Sequence, residues 1–200
     1  NNGQALAEFH SAQAATVMLT AESGNKLAQK KSIFVASTDT ARINNLTITT
    51  DGSVANGSAM NIATTLVEDE SGIPLSGIYV SFSSNSPTVV LTPAKQVTDS
   101  NGNALISFTN TRAENIMLTA VLDNGHQASA TGTFVSHLDK AIINLKLLKD
   151  NEPANGIAQY SVEVWIKDDK GNALGDVPLS VTTDSATAIL ATQNVITGKD

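Results

Sequence analysis

The sequence predicts an all-β chain built of tandem β-sandwich units. Residues recur at a spacing of 99: Asp51, Ala55, Asn56 and Gly57 return as Asp150, Ala154, Asn155 and Gly156, and Asp69, Gly72 and Leu75 return as Asp168, Gly171 and Leu174. Run backwards, the spacing takes Phe108 to Phe9 and Met117-Leu118-Thr119-Ala120 to Met18-Leu19-Thr20-Ala21. Apolar residues alternate with period two in short runs, each closed by Gly, Asn, Asp or Pro, and no amphipathic helical stripe interrupts them. A repeat of this length is too long for common solenoid units and suits whole domains in series.

The complete copy runs over 39–137. Its first strand is expected at 43–50 and its second at 59–69. The stretch Glu70-Ser71-Gly72-Ile73-Pro74 turns the chain. A third strand at 78–84 places Ile78, Val80 and Phe82 on one face. A short strand at 89–91 precedes Pro93, and another extended piece covers 96–98. The turn Asp99-Ser100-Asn101-Gly102 leads into a strand with Ala104, Ile106 and Phe108 inward. The next strand turns Leu118, Ala120 and Leu122 inward. Asp123-Asn124-Gly125 is a hairpin signal, because Asn-Gly tolerates the positive φ such turns need, and the last strand covers 127–135. About seven short strands with a turn every 8 to 12 residues point to a sandwich of immunoglobulin type. The Cys…Trp…Cys hallmark is missing, so the core rests on Val, Leu, Ile, Ala and Phe.

Residues 1–38 match the C-terminal part of a repeat, its last three strands, and 138–200 match the N-terminal part of a further one. The connectors Ser37-Thr38-Asp39-Thr40 and Ser136-His137-Leu138-Asp139 contain no Gly or Pro. Links this short restrict hinge motion and favour a stiff end-to-end rod. The two part-repeats sum to about one unit, so they are either cut domains or strands exchanged between chains.

A unit of this length buries roughly two-thirds of its unfolded surface and needs no staple, consistent with the absence of cysteine. The net charge of -7 argues against nucleic acid and against anionic membrane surfaces. No apolar run approaches the ~20 residues that span a bilayer as a helix, so no direct membrane insertion by this segment is expected. Beginning at Asn1 without Met or a leader, the chain reads as an excerpt from something longer.

The ordered motifs Val54-Ala55-Asn56-Gly57, Val67 to Leu75, Val80-Ser81-Phe82, Thr98 to Ala104 and Leu118-Thr119-Ala120 resemble the bacterial Ig-like repeat of group 1. That repeat occurs in intimin and invasin, the inverse-autotransporter adhesins. The third copy departs from the pattern, with Ala173 in place of Pro74 and Val181 in place of Phe82. The resemblance implies a cell-surface stalk: an outer-membrane barrel anchors it, tandem Ig-like domains project it, and a distal domain binds. Neither barrel nor distal domain lies in these residues. The implied location is the bacterial surface, with the anchor outside this chain.

Chemistry is sparse. Asn56-Gly57 serves a turn with positive φ, and the Asn side chain bonds nearby backbone. Asp99, Asn101 and Asn103 alternate as in a calcium loop, but Gly sits fourth and no bidentate Glu follows, so a plain turn is expected. Glu68-Asp69-Glu70 and Lys167-Asp168-Asp169 read as solvated turns whose Asp accepts local backbone N–H groups. The alternative, a metal held between domains, is weakened by Lys167 in place of Glu68. His10, His126 and His137 fall at unrelated places, and no triad, HExxH or phosphate loop occurs. No catalytic residue, cofactor or metal is therefore assigned. Asn45-Leu46-Thr47 and Asn56-Gly57-Ser58 match the short glycosylation pattern, which arises readily by chance.

Four residues are candidate partner contacts. In the third copy Tyr160, Val162, Val164 and Ile166 are expected inward, which turns Ser161, Glu163, Trp165 and Lys167 outward. An outward Trp165 suits an interface; alternatively its ring covers neighbouring strands and packs with Lys167. The matching face of the complete copy carries Met60, Ile62, Thr64 and Leu66, apolar enough to be covered by a neighbour. The expected role is a mechanical spacer of an adhesin, whose partners are neighbouring Ig-like domains of the same chain. The alternative is that the repeats themselves bind a host protein, a glycan or a sister adhesin.

Overall fold

The structure, a computed structural model, describes residues 2–11, 15–35 and 38–198. The connector residue Ser37 lies outside them. The described chain is all β apart from one turn of 3₁₀ helix at Leu138–Lys140. Its strands are β1 (Ala15–Ser23), β2 (Lys26–Phe34), β3 (Arg42–Thr50), β4 (Ser53–Val54), β5 (Asn61–Glu68), β6 (Tyr79–Ser84), β7 (Val90–Thr92), β8 (Lys95–Val97), β9 (Asn103–Thr109), β10 (Asn115–Leu122), β11 (Gln127–Val135), β12 (Ile142–Leu147), β13 (Val162–Lys167), β14 (Pro178–Ser180) and β15 (Asn194–Ile196).

Strands β3 to β11 close into a two-sheet sandwich. One sheet has the order β4-β11-β10-β6-β8 and the other β3-β5-β9-β7. The pairings are antiparallel except that β4 runs parallel to the end of β11, Val54 beside Val135. This two-residue strand was not expected; the sequence reads it as the approach to the Asn56-Gly57 turn. It lies alongside β11 because Ala55 is wholly buried and its N–H donates to the Val135 carbonyl.

Period-two alternation places the core as expected. Val80 and Phe82 of β6, Ala104, Ile106 and Phe108 of β9, and Leu118, Ala120 and Leu122 of β10 are buried, joined by Ile116 and Phe134. Ile78 packs against them, partly buried. In place of a disulfide and tryptophan, Phe108 and Phe134 meet edge to face across the two sheets, centroids 5.8 Å apart. Such pairs add about 0.5–1.5 kcal/mol beyond their burial.

Two buried polar side chains break the aliphatic row of β5, and each is satisfied. Asn61 donates to the Thr133 carbonyl (2.9 Å) and to Asp51 (3.2 Å) and accepts from the Ser53 N–H, tying β5 to β4 and β11. The Thr65 hydroxyl donates to the Asn45 carbonyl where β3 bulges between Ile43 and Asn45.

Outside the sandwich, β1–β2 and β12–β13 form two-stranded ladders, as do β14 and β15. The pairs Asn45↔Leu66, Leu46↔Thr65, Thr47↔Thr64 and Ile48↔Ala63 have counterparts 99 residues on in Asn144↔Trp165, Leu145↔Val164, Lys146↔Glu163 and Leu147↔Val162. At the N-terminal side Phe9 packs edge to face on Phe34, 5.6 Å between centroids, as Phe108 does on Phe134. The first expected strand of that part does not form: among the described residues 2–11 there is no strand. Its equivalent, β9, is held between β5 and β7, and among the described residues no strand pairs with residues 2–11.

Candidate inter-unit junction and outer faces

The turn after β13 meets the sandwich through one side chain. Asp168 N–H donates to the Asn172 carbonyl and Gly171 N–H to the Asp168 carbonyl, closing a tight loop. The same bonds join Asp69, Ile73 and Gly72 in the turn after β5. One carboxylate oxygen of Asp168, Oδ1, accepts from the Lys170 and Asn172 N–H groups; Asp69 Oδ1 accepts in the same way from Ser71 and Ile73. Both Asp residues therefore do the local work expected of them. The expectation that these turns are solvated fails for the Asp itself: Asp69 is 4% and Asp168 2% exposed. Backbone N–H groups take the place of water at these buried oxygens.

In the second turn the other carboxylate oxygen reaches further. Asp168 Oδ2 accepts from the His137 N–H of the connector (3.0 Å) and from the Asn172 side-chain amide (2.9 Å). That amide also donates to the Thr111 carbonyl (3.1 Å), and its oxygen accepts from the Ala113 N–H (2.8 Å). Thr111 and Ala113 belong to the loop between β9 and β10, so Asn172 bridges two turns far apart in sequence. The connector is structured as well: Lys140 N–H donates to the His137 carbonyl and Ala141 N–H to that of Leu138.

The receiving loop is itself braced. Asn110 is buried; its amide donates to Glu114 (3.1 Å) and its oxygen accepts from the Arg112 N–H (3.0 Å). Glu114 also accepts from Ser86 and Thr88, and the Arg112 guanidinium lies 3.6 Å from it. Burial opposes ionisation of Glu114, but the bonds from Ser86, Asn110 and Thr88 and the Arg112 charge outweigh it and hold its pKa below the ordinary glutamate value. Burial likewise opposes ionisation of Asp168. Its bonds from Asn172, His137 and Lys170 prevail, and its pKa is also lowered. Two stabilised carboxylates thus stand on the two sides of this contact.

The four candidate contact residues do not converge. Met60 is 55% exposed just before β5. Ile62 and Leu66 are half-buried on the same outer face, alternating with buried Asn61, Ala63, Thr65 and Val67. Leu105 of β9, opposite Thr64 and 55% exposed, extends that apolar face. Trp165 lies on β13 opposite Asn144, half-buried. Its expected inward neighbours divide: Ile166 is buried and Val164 half-buried, whereas Val162 and Tyr160 are exposed. The Tyr160 hydroxyl instead donates to the Glu152 carbonyl and accepts from the Glu152 N–H, clipping the preceding loop. Among the described residues the ammonium resting on a ring is that of Lys95, 4.6 Å over Tyr79, on the other sheet.

The turn motifs behave as local devices. Asn56 Oδ1 accepts from Ser58 and Ala59, Asn155 Oδ1 from Ile157 and Ala158, and Asp99 Oδ1 from Asn101 and Asn103. His126 Nδ1 accepts from the Ile43 N–H (3.3 Å) and Asn124 donates to the Ala41 carbonyl (2.7 Å), tying the β10–β11 hairpin to the start of β3. Among the described residues no group of three or more His, Asp or Glu side chains is placed to hold a metal, and no helix is long and apolar enough to cross a membrane. Sequence reasoning missed Asn172, Asn110 and Glu114. A signal existed for the first: the 99-residue spacing sets Asn172 against Ile73, an amide against an aliphatic chain.

Residues 43–135 match the model of the bacterial Ig-like domain (group 1). The inverse autotransporter adhesin YeeJ of Escherichia coli (strain K12) is 28% identical over 165 residues, which cover 82% of this chain and 7% of that protein. The chain therefore spans a small fraction of the curated relative it matches. Among solved structures, the Escherichia coli adhesin FdeC is similar over 88% of this chain and 58% of its own, with a TM-score of 0.53 at 14% identity, a likeness of fold. The integrin-binding protein invasin is similar over 66% of this chain and 27% of its own, with a TM-score of 0.43 at 28% identity.

Proposed function

We infer that this chain is a run of Ig-like repeats from an intimin/invasin-type adhesin, a reading supported by the match of residues 43–135 to the bacterial Ig-like domain of group 1 and by the similarity to YeeJ. It is a stretch of stalk. A complete unit at 39–137 stands between the back of one unit, 1–38, and the front of another, 138–200. The stalk holds a distal binding domain away from the outer membrane, at the cell surface, anchored through a segment outside these residues. Its own chemistry is mechanical, not catalytic, and its partners are the neighbouring units.

The observation that carries this reading is the contact of the 168–172 turn and the connector with the 110–114 loop. A spacer needs consecutive units that resist bending. A connector ordered by its own hydrogen bonds and pinned at His137 meets that need better than a free linker. Small-angle scattering from the 200-residue chain tests it. A rod gives a distinct cross-sectional region and a radius of gyration well above the about 16 Å of a compact globule of this length. A value near that of the globule would end the stalk reading.

A second reading, that the repeats bind a partner, is favoured by the apolar outer face of Met60, Ile62, Leu66 and Leu105, with Trp165 as a separate candidate. The two readings part in a bacterial aggregation and adhesion assay on the whole displayed adhesin. Replacing Ile62 and Leu66 by Ser, with the fold intact by circular dichroism, leaves adhesion unchanged for a spacer and abolishes it for a binding face.

A further inference from the structure

We propose that Asn172 is a clasp that fixes the orientation of the unit containing β12 and β13 on the sandwich before it, and that the 110–114 loop is the surface built to receive it. The proposal rests on the stalk reading and adds to it: the joints of the stalk are not alike, and an identifiable side chain sets the stiffness of this one.

Three features of the contact carry the inference. Asn172 uses its amide in both directions, donating to the Thr111 carbonyl and accepting from the Ala113 N–H. A carbonyl and an N–H two residues apart, satisfied by the two ends of one planar amide, constrain rotation as well as distance, which a single bond would not. Asn172 is itself held: its amide donates back to Asp168, whose carboxylate also takes the connector N–H at His137. The clasp therefore joins loop, turn and connector at one carboxylate–amide pair, and both residues are buried. The receiving loop is preorganised by Asn110 and Glu114 on its own side, so little ordering is left to occur on contact.

The clasp is also separable from the fold of the turn. At the equivalent place after β5 stands Ile73, whose side chain has no hydrogen-bonding group, yet the turn there keeps the same backbone bonds and the same Asp. The amide of Asn172 is thus not required to close the turn. Its two outward bonds are what the exchange of aliphatic for amide adds at this joint, and position 73 has nothing comparable to offer to a preceding unit.

The chain has no cysteine, so Thr131→Cys on β11 and Glu163→Cys on β13 admit two spin labels and an electron-resonance distance measurement between the two units. With Asn172 present the distance distribution is narrow. Asn172→Ala and Asn172→Ile broaden it and move its mean. Amide exchange at Ala113 speeds up about five- to tenfold, the factor that loss of one hydrogen bond of typical net strength brings. Asn172→Ile is the decisive variant, because the turn after β5 already folds with Ile at that place. An unchanged distribution in both variants overturns the clasp. So does a broad distribution in the unsubstituted chain, and so does loss of the turn itself in Asn172→Ile, which would make the residue local scaffolding. An extended particle by scattering with an unmoved distribution sinks the clasp and leaves the stalk standing, whereas a compact particle sinks the stalk reading first.

Discussion

At Gly102 the backbone has a φ of +76°, and a Cβ built there would lie 2.6 Å from the Val67 carbonyl oxygen and 3.0 Å from Pro74 Cβ. Both a left-handed conformation and a steric overlap with fixed backbone oppose any other residue. Gly77 shares the conformation, with a φ of +79°, but a Cβ there meets nothing within 4 Å. The comparison separates strain from crowding. Gly77→Ala costs about 1 kcal/mol and Gly102→Ala about 2–3 kcal/mol, read from denaturant unfolding of the chain followed at sandwich amides. Equal losses at the two sites would refute the crowding at Gly102. The Asp99-Ser100-Asn101-Gly102 turn was legible in the sequence, and so was its Gly. That its backbone packs against Val67 and Pro74 was not, because those residues arrive from β5 and the turn after it. Asn61 and Thr65 make the same point from inside the core. At the buried positions of β5 they alternate with Ala63 and Val67, and their polarity is answered by β4, β11 and the β3 bulge, partners that period-two alternation does not name.

Among the elements, strands were more legible than the contacts between turns. Alternation places the inward faces of β6, β9 and β10 because side chains on a strand point to opposite sides whatever their neighbours are. The short β4 escaped, since its two residues pair only because β11 happens to pass. The missing strand in residues 2–11 and the exposed Val162 and Tyr160 have one cause: alternation says which residues would face a core, and burial follows only where a second sheet supplies it. The 168–172 turn and the 110–114 loop carry a pH prediction. Asp168 and Glu114 have folded pKa values below their ordinary ones, so both contribute stability that is complete above the ordinary carboxylate range and is lost as pH falls through the lowered values. Amide resonances of Ala113 and His137 therefore hold steady from neutral pH down to the ordinary carboxylate range of about 4, and below it they shift together as the contact opens. A shift centred near the histidine range instead would assign the change to another group.

For the whole molecule the same distinction holds at larger size. The 99-residue spacing, the alternating strands, the turn positions and the likeness of residues 43–135 to the bacterial Ig-like domain of group 1 could be read from residue order, because each rests on local patterns and their spacing. The candidate contacts could not be ranked that way. Met60, Ile62 and Leu66 share a face as alternation requires, but only the pairing of β5 with β9 adds Leu105 beside them, and Trp165 sits apart on a different ladder. What residue order determined by itself is the kind of fold and which faces of its strands turn inward, since backbone stereochemistry and burial of alternate side chains act over a few residues at a time. What tertiary structure alone decided is how the turn after β13 meets the sandwich. Asn172, Asp168, His137, Thr111 and Ala113 are brought together by the closing of two sheets and a connector, and a hydrogen bond between groups some sixty positions apart leaves no periodic trace in the chain that forms it.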